Sequence, residues 1–305
     1  MEKTVGMIGL GIMGSAMSGN LVKSGFQVVG YDVLAERTRA LEQQGGLAAE
    51  DCQNVAARAT SIITSLPSAD ALIETAKLLA STAQKNTVVI ETSTLPIAVK
   101  EQARQYLAIR SVTLLDCPLS GTGAQARLKD LIAYVSGDQN AYNRTTEIMD
   151  GFARAQDYVG EFGAGSKMKF VANLLVAIHN VAAAEAMVLA MKAGLDPAMV
   201  LKVVAEGAGG SRMLQVRGPM MVTGDYSDAT MKVEIWQKDM PIIGEFARQL
   251  ECPTPLFLTS ASIYTAAMAM GRRTEDTAAV CAVLERMANY TRPQTGQSRS
   301  ADQTG

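Results

Sequence analysis

The chain has 305 residues, 48% hydrophobic and 19% charged, with a formal net charge of −2. That length gives room for two ordinary domains and a substantial core, and the near-neutral charge excludes a global basic field that would draw nucleic acid or an anionic membrane. The four cysteines, Cys52, Cys117, Cys252 and Cys281, are widely spaced with no CxxC pair, which argues against a zinc ribbon or disulfide framework and fits a reducing cytoplasm.

The chain opens on an apolar strand pattern over 4–9 that runs into Gly9-x-Gly11-x-x-Gly14. A helical pattern over 12–23 follows, then a second apolar run over 27–31 that ends at Asp32. Strand, tight turn, helix, strand and acid, in that order, form the dinucleotide-binding fingerprint. Gly9 permits the turn, Gly11 lets the backbone approach a pyrophosphate, and Gly14 lets the helix pack on the sheet. The helix N-terminus offers N–H groups and a positive dipole end to the phosphates. Asp32 is placed to accept hydrogen bonds from an adenosine ribose, which favours NAD because a 2′-phosphate is repelled there; NADP is the alternative. Among 26 glycines a lone GxGxxG can be an ordinary turn; its place between strand and helix patterns decides for a cofactor.

Further apolar runs at 61–66, 87–92, 112–116 and 131–136 alternate with helical patterns at 34–44, 69–83 and 96–109, and a short strand near 156–159 closes the series. This βαβ rhythm predicts a mostly parallel, doubly wound sheet. Ligands of such sheets bind at the carboxyl ends of the strands. Leu66-Pro67, Thr94 and Cys117-Pro118-Leu119-Ser120-Gly121 occupy those positions, although both prolines are equally explained as turn formers.

After Gly163-Ala164-Gly165 the periodicity turns helical. One long helix is expected over 166–193, stopping at Gly194, followed by helices at 198–206, with Asp196-Pro197 as its start, and at 231–250, 256–270 and 275–289. The apolar stretch 170–191 contains Asn173, His179, Asn180 and Glu185, so it reads as a buried helix and not a membrane span. The expected organisation is α/β: a Rossmann-type doubly wound domain over 1–163, an all-α domain over 164–290 joined by the long interdomain helix, and a polar, disordered tail over 291–305. His179 is the single histidine, which excludes a multi-histidine metal site; no metal is expected. Mid-helix among apolar residues, it reads as a partly buried structural residue.

Lys169 and Asn173, spaced i and i+4 near the start of the long helix, share one face, which Val176 and Asn180 continue. Lys167 points away from it. A lysine partly desolvated near a domain junction can shuttle protons near neutrality, and a neighbouring asparagine can orient it or bind the reacting oxygen. On residues alone Lys169 reads first as a solvated charge at a helix start, and Lys238-Asp239 as an ordinary surface pair.

The ordered set of these segments resembles the β-hydroxyacid dehydrogenases, the family of 3-hydroxyisobutyrate dehydrogenase and tartronate semialdehyde reductase. Gly9-Leu10-Gly11-Ile12-Met13-Gly14 resembles the family's cofactor loop. Asp116-Cys117-Pro118-Leu119-Ser120-Gly121 is similar to its DxPxSGG substrate segment, Gly163 to Asn173 to its catalytic helix start, and Lys238-Asp239-Met240 to its KDL segment. Thr64-Ser65-Leu66-Pro67 and Ser93-Thr94 resemble its cofactor loops.

The resemblance implies that Lys169 is the acid/base, that Asn173 assists it, and that Ser120, Gly121 and Thr122 lie in the substrate segment. Gly9, Gly11, Ile12, Met13, Gly14, Asp32, Leu66, Pro67, Thr94 and Lys238 are then on the cofactor side. It further implies an active site in a cleft between the domains, NAD-dependent oxidation of a short 3-hydroxy acid or the reverse reduction, and a homodimer or homotetramer. Two residues depart from the family pattern: Thr122 and Lys129 stand where it has glycines, and Arg127, Lys129, Arg212 and Arg217 are candidates for a second acidic group on the substrate. The rival readings are an imine-reducing relative, against which Lys169 argues, and a non-catalytic dinucleotide-binding interaction module.

Overall fold

Alternating apolar strands and amphipathic helices build the N-terminal half. In the computed structural model, which describes residues 4–293, the elements run β1 (Thr4–Ile8), α1 (Ile12–Lys23), β2 (Gln27–Tyr31), α2 (Ala35–Gln43), β3 (Leu47–Ala48), α3 (Cys52–Arg58), β4 (Ser61–Thr64), α4 (Ala69–Thr82), β5 (Val88–Glu91) and α5 (Ile97–Ala108). They continue as β6 (Thr113–Asp116), β7 (Leu119–Ser120), α6 (Gly123–Arg127), β8 (Ile132–Ser136), α7 (Gln139–Phe152) and β9 (Ala155–Gly160). The strands form one sheet in the order β3-β2-β1-β4-β5-β6-β8-β7, with β9 paired to β8. Pairing is parallel from β3 to β6, antiparallel where β8 meets β6 and β7, and parallel again between β8 and β9.

Both faces of the sheet are buried, which is why its strands read as continuous apolar runs. Met7, Val28, Ile63, Ile90 and Leu115 point into one core with Met17, Leu21 and Phe152. Their neighbours Ile8, Val29, Ile62, Val89 and Leu114 point into the other with Val55, Leu72 and Leu107.

The remaining elements are helical: α8 (Ala164–Lys192), α9 (Pro197–Glu206), α10 (Arg212–Thr223), α11 (Val233–Trp236), α12 (Asp239–Gln249), α13 (Pro255–Ala269), a 3-10 turn Thr277–Ala279 and α14 (Val280–Met287). The predicted helix over 231–250 is two, broken at Gln237-Lys238. Pro241 explains the break. A continuous helix would lack its N–H bond to Gln237 and would press its ring against that carbonyl, whereas proline is tolerated in a first turn.

The chain up to Leu174 together with Asp239–Cys252 makes one compact unit, and Leu175–Lys238 with the chain from Pro253 makes the other. This differs from the expected boundary at 163. The first stretch of α8 and all of α12 belong with the sheet, and Phe170 packs on Phe246 with ring centroids 5.2 Å apart. In the second unit, Asn180 donates to the Tyr264 hydroxyl and the Thr277 carbonyl, each at 2.9 Å. There too, Asp276 gathers Arg217, Thr230 and the Met231 and Ala278 N–H groups.

Helix α8 is long and apolar enough to cross a membrane by length and composition, but half of its most apolar window is buried inside the protein, and Asn173 and Asn180 are hydrogen-bonded. Of the expected tail over 291–305, the part from 294 on lies outside the described residues.

Candidate active site

The turn after β1 is shaped for close approach. Gly9 has φ +90°, and a Cβ there would collide with the Ser65 carbonyl. A Cβ on Gly14 would collide with the Gly9 carbonyl. Gly11 differs: its nearest neighbour, the Arg37 guanidinium, is 3.9 Å from where a Cβ would stand, so the space over the loop is open. No side chain caps α1 at Gly11. The N–H groups of its first turn, at Ile12 and Met13, are thus left for an anion. These features fit a dinucleotide pyrophosphate.

Asp32 directly follows β2 and is buried. It accepts from the Leu10 N–H at 2.7 Å and the Leu34 N–H at 3.0 Å, and Arg37 approaches it at 3.3 Å. A carboxylate offers about four acceptor positions, so room remains for a ribose hydroxyl. Arg37 lies in the first turn of α2, where no motif marks it.

The loops at the ends of β4 and β5 are tied together. The Leu66 N–H donates to Ser93 Oγ at 2.8 Å, and the Ser93 N–H donates to Glu91 Oε1 at 3.0 Å. Leu66 and Thr94 are half-buried and Pro67 is exposed.

Ser120 lies in β7 opposite Ile132. Gly121 has φ +134°, and a Cβ there would stand 2.6 Å from Leu131, so glycine is required. Thr122 has φ −98° and needs no glycine; its hydroxyl caps α6 in a capping box with Gln125. Lys129 has φ +60°, so the glycine of the family pattern answers a left-handed backbone there. Arg127 is exposed. Arg217 is buried and bound to Asp276 at 3.1 Å, which removes it as a candidate for a substrate anion.

Helix α8 starts tight against the sheet: a Cβ on Gly165 would collide with the Tyr134 carbonyl. The Gly165 N–H donates to Ser136 Oγ at 2.9 Å and the Ser166 N–H to Asp116 Oδ2 at 2.7 Å. One turn on, Lys169 is 9% exposed and Asn173 4% exposed, while Lys167 faces solvent. Burial of both residues follows from their shared face. Asn173 Nδ2 donates to Asp239 Oδ2 at 2.9 Å. Asp239 had no role in the sequence reading beyond the Lys238-Asp239-Met240 match. Lys238, the residue given a role there, is exposed at the α11–α12 break.

Residues 4–160 match the family described as the NAD binding domain of 6-phosphogluconate dehydrogenase, and residues 163–284 the one described as NAD-binding of NADP-dependent 3-hydroxyisobutyrate dehydrogenase. The L-threonate dehydrogenase of Cupriavidus necator is 31% identical over 284 residues, 92% of this chain and 95% of that protein. The chain belongs to the β-hydroxyacid dehydrogenase family. It is an NAD(P)-dependent oxidoreductase. The 2-(hydroxymethyl)glutarate dehydrogenase of Eubacterium barkeri is 29% identical over 94% of this chain and 97% of its own. A crystal structure of 3-hydroxyisobutyrate dehydrogenase from Salmonella typhimurium superposes with a TM-score of 0.82 at 28% identity, covering 92% of this chain and 99% of that one. An imine reductase of Streptomyces aurantiacus is 19% identical, a likeness that shows the fold alone.

Proposed function

We propose that this dehydrogenase oxidises the hydroxyl of a short 3-hydroxy acid to its semialdehyde or oxo acid, or catalyses the reverse reduction, with Lys169 as the acid/base. The observation that carries the reading is a buried Lys169 four residues before a buried Asn173 whose amide is held by Asp239. Oxidising an alcohol removes a hydride and a proton. A bound nicotinamide supplies the hydride acceptor. Lys169, neutral at its Nζ, takes the hydroxyl proton, and as the ammonium it returns that proton to the carbonyl oxygen in the reverse direction. Asn173 orients the reacting oxygen. Ser120 and Gly121 hold the substrate carboxylate through a hydroxyl and a backbone N–H, next to Thr122. Gly9, Gly11, Ile12, Met13 and Gly14 cradle the pyrophosphate, Asp32 takes the ribose, and Leu66, Pro67, Thr94 and Lys238 complete the cofactor side. NAD is the favoured cofactor and NADP the alternative.

A four-carbon sugar acid is a substrate of the right class, given the L-threonate dehydrogenase relative. Replacing Lys169 with alanine abolishes turnover on a panel of hydroxyisobutyrate, glycerate, 3-hydroxypropionate and four-carbon sugar acids while NAD still binds; retained kcat overturns the assignment. The protein works as a homodimer or homotetramer, a reading supported by the apolar surface that α8 leaves exposed at Val171, Leu175 and Leu189. A monomer in light scattering removes it.

A further inference from the structure

The sheet unit contains a buried ionic cluster that takes no part in the chemistry above. Lys100, on α5, has a side chain only 1% exposed; its Nζ lies 2.7 Å from Glu91 Oε2 and 2.8 Å from Asp116 Oδ1, and both carboxylates are fully buried. Burial alone would discharge the lysine, but Asp116 and Glu91 outweigh it and keep the ammonium charged well above the usual lysine range. Taking three charges out of water gives little stability compared with an apolar core of the same shape, so the partners of the cluster are the informative part.

Each carboxylate leads to a different part of the site. Glu91 Oε1 receives the Ser93 N–H at 3.0 Å, and Ser93 Oγ receives the Leu66 N–H at 2.8 Å. That branch fixes the two cofactor-side loops. Asp116 receives the Ser166 N–H at 2.7 Å, the Ser166 hydroxyl at 2.8 Å and the Ser136 hydroxyl at 3.2 Å. That branch makes Asp116 a cap, supplied by a distant strand, for the first turn of α8, three residues before Lys169. A carboxylate at a helix N-terminus is also favoured by the dipole. A cation between the two carboxylates offsets the repulsion they would exert on one another in one buried space.

We propose that Lys100 is a positioning residue: by bridging Glu91 and Asp116 it locks the Leu66–Ser93 loops and the first turn of α8 into one register. The catalytic half of this inference rests on Lys169 being the acid/base; the cofactor half does not. Displacing a reacting group by about 1 Å costs about 100-fold in rate, so loosening this register falls on kcat.

The test compares Lys100→Met with Lys100→Arg in the full chain. It uses NADH fluorescence titration, steady-state kinetics per folded molecule, thermal melting, and amide exchange over residues 164–170. For Lys100→Met the expected result is a Kd for NADH raised about fivefold or more, kcat lowered about tenfold or more, and faster exchange at Ser166. Lys100→Arg, which keeps the charge, recovers most of this. A Lys100→Met protein that only melts lower, with Kd, kcat and exchange per folded molecule unchanged, overturns the proposal. Should Lys100→Met fail to fold, Ser166→Ala decides, because it keeps every charge and removes one bond to Asp116. A lower kcat at unchanged NADH Kd supports the α8 branch, and an unchanged kcat overturns it. Turnover retained in Lys169→Ala would sink the proposed acid/base, while the NADH titration of Lys100→Met would still read the cofactor branch.

Discussion

The side-chain nitrogen of Asn173 is 2.9 Å from an oxygen of Asp239, and this bond decides which end of the amide is free. A carboxylate only accepts, so the nitrogen must face Asp239 and the amide oxygen is turned away as an acceptor. An acceptor beside Lys169 suits a hydrogen bond from its ammonium or from a substrate hydroxyl. Asp239→Ala releases the amide to rotate. Its expected effect is a fall in kcat of about 10- to 100-fold, equivalent to ~1.4–2.7 kcal/mol of barrier, with a smaller change in KM. Asp239→Asn, which keeps an acceptor oxygen, loses less. Equal losses in the two variants would show that charge, not the orientation of Asn173, is what Asp239 supplies.

With Asp32 on the ribose side of the cofactor, as proposed above, cofactor choice rests on two opposed charges. Asp32 disfavours a 2′-phosphate, and Arg37, 3.3 Å away and exposed, attracts one. The ratio of kcat/KM for NAD over NADP is expected to exceed one in the unmodified enzyme. It rises in Arg37→Ala and falls below one in Asp32→Ala. A native preference for NADP would show that Arg37 dominates.

Lys129 holds φ +60°, a conformation that costs a side-chain-bearing residue about 1–2 kcal/mol. Lys129→Gly relieves that cost but adds freedom to the unfolded chain, so the expected net gain is about 0.5–1 kcal/mol, seen as a higher Tm. Thr122→Ala removes the α6 cap and is expected to lower stability by about 1 kcal/mol. Lower stability in Lys129→Gly would mean that the lysine side chain makes contacts worth more than its strain.

The mostly parallel, doubly wound sheet and the glycine turn were legible because buried parallel strands leave continuous apolar runs, and because Gly9 and Gly14 are sterically obligatory. The sequence reading missed β3, β7, α3 and α6 because elements of two to seven residues carry too little periodicity. It missed α10 because Gly218-Pro219 interrupts the pattern inside the helix; Ser211, whose hydroxyl accepts from Leu214 N–H at 3.1 Å, was the available start mark. Helix α7 is amphipathic and capped by Asp138, so its signal is present in the sequence. Within the proposed site, spacing placed Lys169 and Asn173 on one helical face, and both are buried. Spacing could not mark Lys100, because a lysine in a helical stretch reads as solvated until Glu91 and Asp116, from two other strands, are brought to it.

The thiols divide by burial. Cys52 is pushed up to about 11 by burial and by Asp51, and Cys281 to about 12 by burial and by Glu285. Burial also raises the Cys117 thiol. All three stay protonated and shielded at neutral pH, and the thiolate is the reactive form. The exposed Cys252 is therefore expected to be the one thiol per chain that reacts with a disulfide reagent in the native protein. Cys252→Ser should bring that count to zero, and a second reactive thiol would locate an opening of the core.

Acid stability is expected to run through Asp276. Burial alone would raise its pKa, but Arg217, the Ala278 and Met231 N–H groups and Thr230 outweigh it and hold the carboxyl below the ordinary value. A group depressed on folding contributes stability that is complete above its unfolded pKa of about 3.9 and is lost as pH falls through the folded value. Tm should therefore be insensitive to this group from neutrality down to about pH 5 and fall below about pH 4. Asp276→Asn leaves Arg217 buried without its anion, a change that typically costs about 3–5 kcal/mol. The variant is expected to melt lower at pH 7 and to converge on the unmodified protein as the pH drops below about 4. Tm curves that stay parallel across that range would assign the acid loss to other carboxylates.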